Sequence, residues 1–362
     1  SEDAPFKTLA KAVDAAKKGV IKRITVLGKI EINSLNIRDT GADEILVTGK
    51  PDAAEGEKAE ITSRILVSNA KVRFTQVSLR GITVGSSNVT LGAGALVSNI
   101  DIEEGDNTLT MTDDAVTSGI WAVSSDRSLG PIQITMSDNA AVTGGRISGG
   151  KTITMSGNAR IVNSSGPGIS AASVIITMSD NAEISGNTGG GISGNNITLT
   201  MTGNARIINN TSSRNGGGIY AGYQSVITIS DNAHISGNTT KDSGGGIYIE
   251  SDGRNRGKLT MSGGEISGNT AENGGGVFTT ENSEVSMAGG TITGNKAEYG
   301  AGVFAGKGNG SFTLNGGSIT GNEAEFVGGG VYVETGATYT ADGGTVTENT
   351  AEDGGSNVFR QQ

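Results

Sequence analysis

The chain of 362 residues has no cysteine, four prolines, one histidine and one tryptophan, and only 4% of it is aromatic. Without cysteine there are no disulfides, thiolate metal ligands or thiol nucleophiles. So few large rings cannot fill one spherical core, although an ordinary chain of this length would divide into two or three globular domains. No run approaches 18 consecutive apolar residues, so no membrane-spanning helix is expected. No secretory signal is present in the sequence as given, as in a mature exported chain. Basic residues are in the minority, 27 Lys and Arg against 37 Asp and Glu. Residues 1–80 carry 14 basic and 11 acidic side chains, and residues 81–362 carry 13 and 26. An acidic body of this kind disfavours nucleic acid and anionic lipid as partners.

Glycine is what the chain has in excess, 60 residues or about one in six. That is half of what collagen requires. A net charge of −10 over this length, with 34% apolar residues, also argues against disorder. The composition fits an elongated architecture with a thin core of small and β-branched residues.

Internal repetition gives that architecture its form. The clearest copies are LTMSGGEISGNTAENGGGVF (259–278), VSMAGGTITGNKAEYGAGVF (285–304), FTLNGGSITGNEAEFVGGGVY (312–332) and YTADGGTVTENTAEDGG (339–355), with looser copies from Ile134 onward. Each copy holds three short segments of period-two alternation, which reads as strand. They are separated by Gly, Asn and Asp, which suit turns and positive φ. Three strands and three turns make one coil of a parallel β-solenoid. About 12–13 coils stacked roughly 4.8 Å apart would extend about 60 Å. The insert SDGRNRGK (251–258) belongs in a turn, where added length costs little. The expected divisions are a capping helix over 1–20, degenerate first coils over 21–131, regular repeats over 132–355 and a tail over 356–362.

The N-terminal segment has Phe6, Leu9, Val13 and Ala16 on one helical face, with Asp3 as expected N-cap and Gly19 as the stop. Residues 51–58 (PDAAEGEK) read as a loop. The helix would plug one open end, as solenoids require. The other end has only SNVFRQQ, so an uncapped C-terminal coil could join a second copy.

These phrases resemble known sequences. FKTLAKAVDAAKKGVIKRITVLGKI is similar to the capping helix and first strand of right-handed parallel β-helices of the pectate-lyase-like class. The GGGIY, GGGVF and GGGVY phrases, paired with I-x-G-N over about residues 140–355, resemble repeats of polymorphic outer-membrane and related bacterial surface proteins. The resemblance implies an all-β, right-handed parallel β-helix with an N-terminal α-helical cap. It also implies an extracellular or cell-surface location and an adhesive role.

Chemistry was sought where acids, Arg and His could converge on one outward face. Glycoside hydrolysis needs two facing carboxylates, and a lyase needs calcium-binding acids beside a base. Asp138, Asp180 and Asp231 align, but Gly157 and Gly203 take the same slot in alternate copies, which marks a turn. His234 occupies a slot held elsewhere by Glu183, Arg206, Glu265, Thr291, Ser318 and Thr345, so it is an exchangeable surface residue. The acids Asp101, Glu103, Glu104, Asp106, Asp113 and Asp114 could bind calcium, but a solvated surface face is the preferred reading. No catalytic or metal-binding residue is assigned, and calcium is the only cofactor considered.

The recurring columns say more. Asn187, Asn210, Asn238, Asn269, Asn295, Asn322 and Asn349 would stack amide on amide and satisfy turn backbone. Met136, Met155, Met178, Met201, Ile229, Met261, Met287 and Leu314 form a core column. Outward hydroxyl pairs such as Thr200-Thr202, Thr291-Thr293 and Thr345-Thr347 resemble the ice-binding arrays of antifreeze proteins, though Thr is also a common outward strand residue. Tyr220, Tyr248, Phe278, Phe304 and Tyr332 alternate with inward aliphatics, so an exposed aromatic ladder would suit a glycan or a partner protein, the alternative being that a turn insert covers the column or that the rings are core. The function expected from sequence is a non-catalytic adhesive or structural surface protein. The alternatives are a carbohydrate-binding or carbohydrate-cleaving protein and an ice-binding protein.

Overall fold

The computed structural model describes residues 8–18, 22–31, 35–39, 44–50, 58–122 and 131–362. The chain divides into two compact units, Ser1–Thr154 and Met155–Gln362. The expected change from degenerate to regular coils was at 131/132. Asp3, Phe6, Gly19 and most of the loop 51–58 lie outside the described residues.

In the first unit a helix spans Leu9–Lys17, with Thr8 as its N-cap in place of Asp3; the Thr8 hydroxyl accepts from the Lys11 N–H at 3.3 Å. Leu9, Ala12, Val13 and Ala16 are buried against the first strands of the unit, which is what a cap requires. Six rungs follow, most with three short strands; in the second and third rungs the long strands Ala59–Ser68 and Val77–Gly85 each run across two faces. The first face runs Arg23–Thr25, Glu44–Thr48, Lys71–Thr75, Asn88–Leu91, Asn107–Met111 and Ile132–Met136, all parallel. Two further faces repeat this parallel order, ending at Ala141–Thr143 and Ile147–Ser148. Some of these coils are tight: Ala70 donates to Ser87 Oγ only 17 residues on. That compactness gives the unit more rungs than its irregular sequence suggests.

The second unit holds eight rungs on its second and third faces, from Arg160–Val162 to Thr345–Thr347 and from Ile169–Ser170 to Val358–Arg360. Among the described residues the two units have more rungs than the expected 12–13 coils, because of the tight early coils. The segment expected to be a tail supplies the third strand of the last coil: Val358–Arg360 pairs in parallel with Val331–Val333. Within this coil Asn357 Oδ1 accepts from Asn349 Nδ2 at 3.2 Å, and the Arg360 guanidinium lies over the Tyr339 ring at 5.4 Å.

The core follows from alternation. The Met/Leu column and the isoleucines Ile184, Ile207, Ile235, Ile266, Ile292 and Ile319 are all buried. Asp138, Asp180 and Asp231 have φ of 55–56°, and Gly157 and Gly203 have 62°, so Asp and Gly exchange because the turn is left-handed. The residue before each ladder asparagine is also left-handed. It is Gly at 186, 237, 268, 294 and 321, but Glu348 (φ 57°) in the last copy. Glu348→Gly is therefore expected to raise stability by about 1 kcal/mol in thermal unfolding, and a lower melting temperature would contradict this.

A short fourth face was not anticipated. Thr211–Ser212 pairs with Thr239–Thr240, and Lys296–Tyr299, Glu323–Val327 and Thr350–Ala351 form a parallel three-strand ladder. Its signal was the N-x-A-E phrase that begins at the ladder asparagines Asn269, Asn295, Asn322 and Asn349, too short to show a period.

Candidate functional site

The five aromatic residues lie on the third face of the second unit. The strands Ile219–Ala221, Ile247–Ile249, Val277–Thr279, Val303–Ala305 and Val331–Val333 place them in exact register, Tyr220 beside Tyr248, then Phe278, Phe304 and Tyr332. Their neighbours Ile219, Ile247, Val277, Val303 and Val331 point into the core at 0% exposure, so the rings leave the core as alternation predicts.

The rings are nevertheless not an open platform. Successive centroids are 5.5, 5.2, 4.8 and 4.5 Å apart, with interplanar angles of 26° or less, so each inner ring covers the faces of its neighbours. Phe359, at 5.3 Å from Tyr332, continues the stack and was missed because SNVF is a degenerate copy of GGGVF. Tyr248, Phe304 and Tyr332 are each only 8% exposed, while Tyr220 and Phe278 are half-buried. The edges are covered too. The glycine four residues earlier folds its left-handed turn across the ring: Gly274 (φ 62°) would place a Cβ 2.7 Å from Phe278 Cβ. Tyr299 closes on Tyr332 edge-on at 6.2 Å and stacks against Phe326. Alternation reports direction relative to the core, and the covering turn decides exposure. The ladder is a second apolar column outside the main core.

Burial has a titration consequence. Desolvation, helped by the Glu250 carboxylate, pushes Tyr248 up to about 12, and Tyr220, which donates to Glu250, is raised further by burial and that bond. Raised folded-state values mean that the folded protein keeps these protons above pH 10 while the unfolded chain loses them. Stability should therefore be intact below pH 10 and decline between pH 10 and about 12. Tyr248→Phe should flatten this decline in alkaline denaturation curves; an unchanged curve would contradict the assignment.

The asparagine column is wholly internal. Asn187, Asn210, Asn238, Asn269, Asn295 and Asn322 are 0% exposed. The Asn187 oxygen accepts from the Ser164 N–H, and from Asn210 onward each side-chain oxygen accepts both the backbone N–H and the amide of the preceding asparagine, as Asn295 does from Asn269 at 3.0 Å each. Each Nδ2 also donates to an isoleucine carbonyl of an earlier coil, Asn295 to Ile266 at 3.0 Å. The last glycine of the triple phrase fits against this ladder, since a Cβ on Gly246 would sit 3.0 Å from Asn269 Nδ2 and 2.6 Å from the Gly276 carbonyl. The columns of Asn and Gly are two halves of one packing arrangement.

The remaining polar residues are engaged singly. Asp101 pairs with Arg64, Asp114 Oδ1 accepts from the Gly94 N–H at 2.6 Å, and Asp138 Oδ2 accepts from the Asp113 N–H at 3.2 Å. Among the described residues no group of three or more His, Cys, Asp or Glu could hold a metal ion. His234 is half-exposed, with Nδ1 4.0 Å from Glu265 Oε2, in an outward row of alternating charge with Glu183 and Arg206. Thr177, Thr200, Thr228, Thr260, Ser286, Thr313 and Thr340 form one in-register hydroxyl row. The positions two residues later hold Ser179, Thr202, Ser230 and Ser262 but then Ala288, Asn315 and Asp342, so this T-x-T array is interrupted, whereas the second set pairs in register, Thr291 with Ser318 and Thr345, and Thr293 with Thr320 and Thr347. The fourth face carries an open groove of about 550 Å³ lined by Ala271, Ala297, Ala324, Glu298, Glu325 and Glu352. Among the described residues no helix is long and apolar enough to cross a membrane.

Residues 195–361, just under half of the chain, match the family described as right handed beta helix region. No curated protein and no solved structure matches the chain. The match and the parallel ladders agree on a right-handed parallel β-helix. Nothing in the match extends to polymorphic outer-membrane proteins.

Proposed function

We propose that this β-helix is a non-catalytic extracellular or cell-surface protein with an adhesive or structural role, and that it engages a repeating partner, a surface glycan or protein, along its outward rows. The observation that carries this reading is the register of those rows. One residue type recurs rung after rung, as in the seven hydroxyls from Thr177 to Thr340. A row of like groups about 4.8 Å apart gains by multiple weak contacts with a periodic ligand. Catalysis instead requires unlike groups, a nucleophile or base with its partners, converging on one reacting atom. The rival reading, a carbohydrate-cleaving enzyme, draws on the same fold.

The test is to incubate the full chain with insoluble polysaccharides and with intact bacterial cell walls. Adsorption without release of reducing ends or unsaturated sugars is expected. Time-dependent release proportional to protein concentration would overturn the non-catalytic reading.

A further inference from the structure

Outside the covered aromatic column stands Tyr223, 39% exposed and without a ring partner among the described residues. It stands beside the longest interruption of the repeat. The ladder asparagines Asn238 and Asn269 are 31 residues apart because of the insert after Ile249, against 23 to 28 elsewhere. Two departures from the solenoid pattern thus coincide at one place.

The insert is held in one shape. Asp252 accepts from the N–H groups of Arg254 and Asn255 at 3.0 and 2.7 Å and from Asn255 Nδ2 at 2.8 Å, and these bonds lower its pKa. The Ser251 N–H donates to Thr280 Oγ1 at 2.8 Å, tying the insert to the next coil. Gln224 Nε2 donates to Asn255 Oδ1 at 2.6 Å, tying it to the turn that carries Tyr223. The Glu250 carboxylate, which accepts from Tyr220, lies near enough to raise the Tyr223 pKa electrostatically. The Tyr223 ring is exposed, on the turn that Gln224 ties to Asn255. Arg254, next to Asn255 in the insert, is exposed as well.

A flat apolar face bordered by fixed donors and acceptors of both kinds matches a sugar ring, which has an apolar C–H face and a rim of hydroxyls. A purely apolar ligand would leave the polar groups unpaired, and a phosphorylated one would face the Glu250 and Asp252 carboxylates. We propose that Tyr223 with Glu250, Gln224, Arg254 and Asn255 forms a saccharide-binding site in which one sugar ring stacks on the exposed Tyr223 ring. The site rests on the surface-binding reading above and names a ligand class and a place for it. Because the insert is already ordered, little conformational entropy is lost on binding.

Isothermal titration of the intact protein with cellopentaose, maltopentaose, xylopentaose, penta-N-acetylchitopentaose and pentagalacturonate tests the site. At least one of them is expected to bind with Kd below ~1 mM. Tyr223→Ala should weaken that binding ~10-fold or more, and Tyr223→Phe, which keeps the face, should stay within ~3-fold. An unchanged thermal transition in both variants shows that folding is not the cause. No binding of any probe at ~10 mM, or equal binding by Tyr223→Ala, overturns the site. If Tyr223→Ala still adsorbs to cell walls as the parent does, the site fails while the surface-binding reading stands; loss of adsorption by the parent itself would remove both.

Discussion

Asn295→Ala is expected to cost roughly 4 kcal/mol of stability, the largest effect of any single side-chain truncation in the regular coils. Asn295 is fully buried and makes four side-chain hydrogen bonds: its oxygen accepts twice from Asn269, and its nitrogen donates to Ile266 and Asn322. Alanine leaves the Asn269 N–H and one Asn269 amide hydrogen buried without partners and removes the side-chain bond to the Ile266 carbonyl. Each such group costs about 1–3 kcal/mol. Against a typical total of about 5–15 kcal/mol this is a large share. Urea denaturation of parent and variant measures it, and a loss below about 1 kcal/mol would contradict the ladder's role. Asn295→Asp adds a signed test. A carboxylate there would be desolvated and would face the acceptors Ile266 O and Asn322 Oδ1, so its pKa should rise above the unfolded value of about 3.9. A raised value means that the variant is closest to the parent below about pH 4 and falls behind as pH increases. The opposite trend would show that the site accepts negative charge.

Phe304→Ala is expected to cost about 3–4 kcal/mol while leaving cell-wall adsorption intact. Phe304 is packed between Phe278 at 4.8 Å and Tyr332 at 4.5 Å and is only 8% exposed. Truncation would open a cavity that the neighbouring rungs, fixed by their ladders, close only in part. A double-mutant cycle with Phe278→Ala should show coupling between the two rings, because they share a contact. If Phe304→Ala instead folds as stably as the parent but loses adsorption, the stack is a binding platform after all.

The sequence made some of this structure legible and hid the rest for identifiable reasons. Period-two alternation placed the inward rows correctly, including Met201, Met261 and Ile266. The recurring I-x-G-N phrase picked out the asparagine ladder, whose members satisfy turn backbone as expected. The exchange of Asp180 for Gly203 showed a turn before any dihedral was known, since both residues tolerate positive φ. The exposure of Tyr248 and Phe304 was not readable, because burial there depends on how Gly244 and Gly300 fold across the rings. The early coils were obscured because pairing at intervals as short as 17 residues needs no repeated phrase. Phe359 and Asn357 were taken for a tail because their phrase lacks the triple glycine, yet they continue the ring stack and end the amide ladder. Tyr223 carried no periodic signal at all. A residue that breaks the repeat is invisible to periodicity, and such breaks are where a solenoid has room for specific recognition.

The account rests on the claim that the recurring internal columns hold the solenoid together and leave binding to what lies outside them. Native-state hydrogen exchange followed by NMR tests this most directly. The backbone amides of Asn238, Asn269, Asn295 and Asn322 should be among the slowest in the second unit, exchanging only through opening of whole coils. Exchange of these amides as fast as that of the exposed Arg254 turn would contradict it.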